Sequence, residues 1–167
     1  MRVALCIAAE TARPMIYRPY AQEDFIALYA IEEACFQPPL RFGRGYMRRL
    51  VHAANAATWI ADDNGRMAGF AIVDWRRDAG VVTAYIQTIE VAADQRRRGV
   101  GGELLRCVEQ SARAAGAALL WLHVDEENSA AIHLYETHGF CREVREENYY
   151  ARSRADLVLV KLLPPES

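Results

Sequence analysis

The sequence predicts one α+β domain built on a mixed sheet. Apolar residues recur at helical spacing in four segments, and seven further segments have the β-branched or alternating pattern of strands. Helices and strands do not alternate strictly along the chain, which favours a mixed α+β sheet. A chain of 167 residues that is 52% hydrophobic and 25% charged is long enough to bury one core.

The N-terminal half is predicted to contain a strand at 15–20, helices at 22–35 and 44–54, and strands at 58–61 and 67–75. The first helix rests on residues at i, i+3 and i+4 spacing, namely Phe25, Leu28, Tyr29, Ile31 and Glu32. The second helix is predicted to face the core with three side chains, those of Tyr46, Met47 and Leu50. Asn64-Gly65 stands between two strand-like runs and predicts a hairpin.

The C-terminal half is predicted to contain strands at 81–91 and 118–124, helices at 100–115 and 129–137, and strands at 141–150 and 155–162. One face of the third helix carries Val100, Leu104, Leu105, Val108 and Ala112, and Gly116 is expected to end this helix. Residues 118–124 are almost wholly apolar, which predicts a strand that is buried on both faces. The tryptophans Trp59, Trp75 and Trp121 lie in strand patterns and are expected in the core.

Composition excludes several classes of protein. The net charge of -2 argues against a nucleic-acid-binding protein, and no apolar run approaches the ~18 residues of a membrane span. Four scattered cysteines, without CxxC pairs or zinc-ligand spacing, indicate reduced thiols, a cytoplasmic protein and no metal site. Residues 1–14 are expected to be an extension, whose order the sequence leaves open, before a domain at 15–163.

A glycine-rich turn lies between the predicted strand 81–91 and the helix that follows it. Three arginines precede Gly99, Gly101 and Gly102, at a helix start where unpaired amides can hold a phosphate. Leu104 stands where a dinucleotide fingerprint needs a third glycine, and no Gly-Lys-Ser/Thr follows, so neither common nucleotide motif is present. Two interpretations remain: a site for a polyphosphate ligand, or a helix start flanked by solvated arginines.

The run from Arg96 to Gly101 resembles the Arg/Gln-x-x-Gly-x-Gly/Ala signature of the GNAT acetyltransferases. Two later segments are similar to the second half of that family: Leu122-His123-Val124, and residues 128–140 with their Leu-Tyr pair and closing Gly-Phe. The resemblance covers about residues 16–162. It implies a mostly antiparallel twisted sheet of six to seven strands that is splayed in the middle, about four helices, and direct acetyl transfer from acetyl-CoA to an amine.

The resemblance also implies the cofactor site. The pantetheine of acetyl-CoA would pair with the backbone of Ile89, Glu90 and Val91. The pyrophosphate would lie on the turn formed by Arg96, Arg97, Arg98, Gly99, Val100, Gly101 and Gly102, with Asn128 and Tyr135 further along the same groove. Asn128 is also a good helix N-cap by itself.

Tyr135 carries over as the general acid that protonates the departing CoA sulfur, since a phenol of pKa about 10 stays protonated at neutral pH. The alternative for Tyr135 is a core tyrosine. For the base, the sequence leaves open His123, Glu90 or no dedicated base. The branch that acetylates the N-terminal α-amines of ribosomal proteins usually has a glutamate where this chain has His123, and an α-amine of pKa about 7.7–8.0 needs little help to lose its proton.

That same branch is similar around Cys35-Phe36-Gln37-Pro38 and Asn148-Tyr149-Tyr150, which implies that Phe36, Tyr149 and Tyr150 bind the acceptor. The expected partner is a protein or peptide N-terminus, without direct binding of nucleic acid or membrane, for an enzyme that is a monomer or homodimer. Two alternatives stay open. One is a small-molecule amine as acceptor, such as a polyamine, amino acid or aminoglycoside, and the other is a non-catalytic acyl-CoA-binding sensor.

Overall fold

The computed structural model describes residues 13–147 and 155–165, and confirms the predicted fold class. Its strands are β1 (Ile16–Pro19), β2 (Ala56–Asp63), β3 (Arg66–Asp78), β4 (Val81–Val91), β5 (Leu119–Asp125), β6 (Cys141–Glu147) and β7 (Ala155–Leu162). Its helices are α1 (Phe25–Cys35), α2 (Arg44–His52), α3 (Val100–Ala114) and α4 (Ser129–Thr137). Most of the predicted extension and the last residues of the predicted strand 141–150 lie outside the described residues.

The seven strands form one sheet in the order β1-β2-β3-β4-β5-β7-β6. All described pairs are antiparallel except β4 with β5, which pair in parallel over only Thr83–Tyr85 and Leu119–Trp121. Beyond these three residue pairs the two strands diverge, whereas β5 stays paired with β7 along its whole length. The sheet therefore opens into a wedge between the second half of β4 and that of β5.

The two faces of the sheet carry different helices. Alternating residues of β3 point to opposite faces, Ala71 and Val73 into the core under α3 and α4, and Phe70 and Ile72 into the core under α1 and α2. The buried faces of α1 and α3 consist of the residues that the sequence predicts. The hairpin is confirmed as well, since positive φ angles of 53° and 87° at Asn64 and Gly65 give the turn between β2 and β3.

Four predictions about local structure are wrong. The helix predicted at 22–35 begins as a 3-10 turn, Gln22–Asp24, and α1 itself starts only at Phe25. The buried Asp24 carboxylate holds this turn, because it accepts the Ala21 amide at 2.7 Å and pairs with Arg18. Tyr46 is 38% exposed, not inward-facing. Strand β5 is buried on one face only, since Leu120, Leu122 and Val124 are buried and their neighbours partly exposed. Trp121 is one of those neighbours and lies outside the core.

The chain contains no helix among its described residues with the length and apolar character needed to cross a bilayer. The described thiols of Cys35, Cys107 and Cys141 are free, as expected, and Cys6 lies outside the described residues.

Strand β4 carries a bulge at the point where it leaves β5. Ile72 of β3 pairs with Thr88, and the next residue, Val73, pairs with Ile86, so Gln87 is the extra residue. Because of this insertion, Gln87 and Thr88 both lie on the face of the sheet that carries α1, where they donate to Asp74 and Glu90, while Ile86 belongs to the core under α3. The bulge therefore helps to turn the end of β4 away from β5.

Close contact between β3 and the end of β4 depends on Gly69. A Cβ atom at this residue would lie 2.5 Å from the backbone oxygen of Glu90. We expect Gly69→Ala to lower the free energy of unfolding by about 1–3 kcal/mol, because a backbone atom must move to accommodate the methyl group. Urea denaturation measures this effect. In the control Gly45→Ala, on α2, a Cβ meets nothing within 4 Å, and stability should stay within about 1 kcal/mol of the parent or rise.

Candidate active site

A cavity of about 440 Å³ occupies the wedge between β4 and β5, and we call it the wedge cavity. Five residues that the sequence places in the site line it, namely Phe36, Ile89, His123, Asn128 and Tyr135. Phe36 comes from the loop after α1, Ile89 from β4 and Tyr135 from α4. The other predicted acceptor residues, Tyr149 and Tyr150, lie outside the described residues.

The end of β4 presents backbone groups to the wedge. The amide of Ala92 donates to Ala68 on β3 at 2.8 Å, and strand alternation then turns the peptide groups of Ile89 and Val91 away from β3, toward the gap. The backbone oxygen of Glu90 faces Gly69 on β3. Of the three residues implied to hold pantetheine, Ile89 and Val91 therefore have the suitable backbone orientation.

The glycine-rich turn leads from β4 into α3. Arg97 and Gly99 have positive φ angles of 62° and 80°, and α3 begins at Val100. The first amides of a helix have no intrahelical acceptor, so those of Val100, Gly101 and Gly102 can donate to an anion. Gly101 and Gly102 serve packing as well, because a Cβ on either would lie 3.3 Å from side-chain atoms of Leu134 or His138.

The three arginines of the turn have different surroundings. Arg96 donates from Nε to the Val91 carbonyl at 3.2 Å, and Arg98 bonds Gln95 and lies 3.6 Å from the Asp63 carboxylate. Arg97 is exposed and has no hydrogen bond or ion pair within the described part of the chain. It is therefore the arginine best placed to meet a phosphate of a ligand on the turn.

His123 and Tyr85 form a polar pair on the wedge. The Tyr85 hydroxyl lies 3.0 Å from His123 Nδ1, and both side chains are partly buried. Their strands are held side by side by the short parallel pairing, in which Tyr85 is opposite Trp121. In the tautomer that donates from Nδ1 to the tyrosine oxygen, Nε2 carries the lone pair that can accept a proton. The structure thus gives His123, one of the candidate bases, an orienting partner.

Tyr135 lies on α4 and Asn128 directly before this helix, at the opposite side of the wedge from β4. Asn128 caps this helix by accepting the Ala131 amide at 3.2 Å, so its predicted N-cap role is confirmed. Tyr135 is 7% exposed, and its ring packs edge-on against Phe140 at 5.5 Å. Since Tyr135 also lines the cavity, core packing holds its ring while the side chain borders the site.

Glu90 is unsuited to be the base. Its side chain is 3% exposed, and its Oε1 accepts the Thr88 hydroxyl at 2.7 Å. Burial first, and then a hydrogen bond between its carboxyl group and that of Glu32, raise the pKa of Glu90 to about 10. A carboxyl group with this pKa is protonated at neutral pH and cannot accept another proton from an amine. The assignment of Glu90 as a base stays a prediction, and the burial and raised pKa of this carboxyl group disfavour it.

The family model for the acetyltransferase (GNAT) family matches residues 25–140, from the start of α1 to the Phe140 that packs on Tyr135. This segment is more than half of the chain and holds the wedge, the glycine-rich turn and α4. The chain belongs to the GNAT acetyltransferase family.

Named GNAT relatives match parts of the chain. It is 38% identical over 101 residues to ribosomal protein bS18-alanine N-acetyltransferase of Escherichia coli (strain K12), which is 59% of this chain and 66% of that protein. It is 40% identical over 88 residues to streptothricin acetyltransferase of Streptomyces lavendulae, covering 52% of this chain and 46% of that protein. The matches thus span just under two thirds of the first relative and less than half of the second.

The GNAT fold extends beyond these matched segments. The crystal structure of the ribosomal-protein-S18-alanine N-acetyltransferase from Escherichia coli superposes with a TM-score of 0.80 at 25% identity, over 92% of this chain and 97% of that chain. The GNAT architecture implied by the sequence resemblance is therefore confirmed.

The sequence analysis does not name three residues of this site among its candidates: Glu32, Tyr85 and Asp156. Glu32 was assigned only to the buried face of α1, although it also lines the cavity. Local pattern places Tyr85 only within the predicted strand 81–91, and Asp156 only near the start of the predicted strand 155–162. Each belongs to the site through a contact with a distant segment, for which no local pattern gives a signal.

Proposed function

We propose that this GNAT protein transfers the acetyl group of acetyl-CoA to a primary amine, most suitably the N-terminal α-amine of a protein or peptide. The observation that carries the proposal is the wedge itself. One continuous strand edge runs from the Tyr85–His123 pair, past the inward-facing peptide groups of Ile89 and Val91, to the amides at the start of α3.

Acetyl-CoA fits this arrangement of donors. An extended pantetheine needs a strand edge with open amide and carbonyl groups, and Ile89 on β4 offers both, whereas the Val91 carbonyl already accepts from Arg96 Nε. A pyrophosphate needs several convergent N–H donors, which the first turn of α3 supplies, with Arg97 beside it. When bound, acetyl-CoA supplies an acetyl group that is activated as a thioester.

The residues of the wedge then have distinct tasks. His123, oriented by Tyr85, takes the proton that the acceptor amine must lose, directly or through a water. Backbone amides at the end of β4 stabilise negative charge that develops on the acetyl oxygen. Tyr135 holds a proton at its hydroxyl and gives it to the departing sulfur. No covalent bond between the chain and the acetyl group is required.

A protein N-terminus is supported as acceptor by the named activity of the bS18-alanine N-acetyltransferase relative and by Phe36, which borders the cavity near the end of α1. With a ribosomal protein as acceptor, the site of action would be the cytoplasm. The second candidate is a small-molecule amine, which the resemblance to streptothricin acetyltransferase favours.

The binding of CoA to the glycine-rich turn gives a testable prediction. We expect Arg97→Ala to raise the Kd for CoA by roughly threefold to fivefold at low salt, and by less at high salt, because an exposed charge contact is weak and screened. Calorimetric titration at two salt concentrations measures both effects. Arg106→Ala is the matched control, since Arg106 is also exposed but pairs with Glu103 on α3. Equal Kd values for the three proteins would remove Arg97 from the phosphate site.

Release of CoA thiol tests the function. The protein is mixed with acetyl-CoA and a panel of acceptors that contains peptides with different first residues, polyamines and an aminoglycoside. We expect turnover with at least one peptide and acetylation of its α-amine by mass spectrometry. Turnover with small amines alone would assign the second candidate. CoA binding without turnover of any acceptor would contradict the proposal and favour an acyl-CoA sensor.

A further inference from the structure

A second cavity, of about 350 Å³, lies beside the wedge cavity on the face of the sheet that carries α2, and we call it the side cavity. Phe42 and Gln87 line both cavities. Tyr85, whose hydroxyl lies 3.0 Å from His123 Nδ1, lines the side cavity as well. An acceptor that extends beyond its reacting nitrogen therefore has room in the side cavity, and it passes Gln87 to reach it.

Gln87 is held in one orientation by a carboxylate. It is the extra residue of the bulge in β4, and its Nε2 donates to Oδ2 of Asp74 on β3 at 2.7 Å. Asp74 is 8% exposed. A carboxylate only accepts hydrogen bonds, so the nitrogen of the Gln87 amide faces Asp74 and the oxygen does not.

The amide oxygen of Gln87 is left to the cavities. It has no hydrogen-bond partner within the described part of the chain, and the half-buried side chain borders both cavities. An amide oxygen accepts hydrogen bonds and carries no net charge. The bulge thus presents an acceptor that is oriented in advance and fits a neutral N–H donor.

The spacing along β4 indicates which donor this is. Side chains two residues apart on a strand, as Tyr85 and Gln87 are, lie about 6–7 Å apart, and one residue of an extended peptide is about 3.3–3.6 Å long. A peptide whose α-amine lies at the Tyr85–His123 pair therefore brings its next N–H, that of its second residue, within hydrogen-bond reach of Gln87. A simple alkylamine has no donor at this place.

We propose that Gln87 Oε1 accepts a hydrogen bond from the N–H of the acceptor's first peptide bond, and that this contact favours peptide acceptors over simple amines. The inference rests on the proposed acetyltransferase function and specifies how the same site recognises its substrate class. Gln87 is then a substrate-binding residue, and Asp74 is a positioning residue that acts through it. Neither of them transfers a proton.

Replacement of one acceptor atom tests the contact. The peptide that the protein acetylates best is compared with the same peptide in which an ester replaces the first amide. The ester has an oxygen in place of the N–H and keeps the α-amine and the length of the chain. We expect kcat/KM of the parent protein to be about fivefold or more higher for the amide, mainly through a lower KM, because a hydrogen bond is lost and two oxygens then face each other.

Variants of the pair test the residues. Gln87→Met keeps the length of the side chain without its amide, and we expect the ratio of kcat/KM for amide and ester to fall to within about twofold of unity. Gln110→Met is the matched control, on an exposed position of α3 and the opposite face of the sheet, and should keep the parent ratio. Asp74→Asn lets either end of the Gln87 amide face residue 74, so its ratio should lie between those of the parent and Gln87→Met.

A purely structural role of the Gln87–Asp74 bond predicts a different result. Loss of such a bond would change kcat/KM for the amide and the ester by the same factor, and the ratio would stay as in the parent. An unchanged ratio in a folded Gln87→Met protein would therefore overturn the inference. An unchanged ratio in Asp74→Asn would overturn the orienting role of Asp74.

The outcomes also separate this inference from the proposed function. Turnover of amide and ester at equal kcat/KM by the parent protein would leave the proposed function standing and overturn the inference. If Gln87→Met does not fold, the ratios of the parent and Asp74→Asn decide. Turnover of small amines alone would overturn the inference and assign the second acceptor class. CoA binding without turnover of any acceptor contradicts the proposed function itself.

Discussion

Replacing Tyr135 with phenylalanine is expected to lower kcat by about 10²–10⁴-fold, the usual contribution of a positioned general acid. The substitution removes one oxygen atom and keeps the ring that packs against Phe140. The fold and the affinity for CoA should therefore change little. Steady-state kinetics with the best acceptor, together with calorimetric titration of CoA, separate the two quantities.

Tyr17→Phe is the control for this experiment. Tyr17 lies on β1, and its hydroxyl contacts only the Met15 sulfur at 3.5 Å among the described hydrogen bonds, far from the wedge cavity in the sheet order. We expect this variant to keep the parent kcat. If Tyr135→Phe also kept the parent kcat, Tyr135 would be a packing residue and the sulfur would be protonated by another group.

Replacing His123 with alanine is expected to lower kcat/KM about 10²-fold at neutral pH, because the acceptor amine loses its proton acceptor. The pH dependence gives the sharper result. Imidazole accepts a proton only when it is neutral, so a histidine base makes the rate of an enzyme fall toward acid pH. Without the ring, the part of this acidic decline that belongs to His123 should disappear from the pH–rate profile.

Two further variants identify the source of the effect. Tyr85→Phe removes the hydroxyl that lies 3.0 Å from Nδ1 of His123. It should reduce the rate by less than His123→Ala does, since the imidazole keeps its place on β5. His133→Ala, on an exposed position of α4, should leave the profile unchanged. An unaltered acidic limb in His123→Ala would assign the proton transfer to another group, or to solvent.

Much of the fold follows from local pattern. The buried faces of α1 and α3, the Asn64-Gly65 hairpin and the positive φ of Gly116 after α3 all agree with the sequence analysis, because helical spacing and turn chemistry depend on neighbouring residues. The start of α1 does not, because Arg18 and Asp24 act between elements and local spacing does not include such contacts. The exposure of Tyr46 also differs from the prediction.

The candidate site divides in the same way. The glycine-rich turn, Asn128 and Tyr135 could be predicted because they lie in two short motifs, each with a recognisable spacing. The one-sided burial of β5 could not, since a purely apolar run does not show which of its faces a helix covers.

The sequence by itself therefore determined the fold class, the family resemblance, the position of the glycine-rich turn and the candidate general acid Tyr135, all of which depend on residues that are close together in the chain. Only the tertiary structure decided that Tyr85 orients His123, 38 residues away, and that Glu32 of α1 lies against Glu90 of β4. The physical reason is that burial and side-chain contacts such as these join segments that are distant in the chain, so no local pattern contains them.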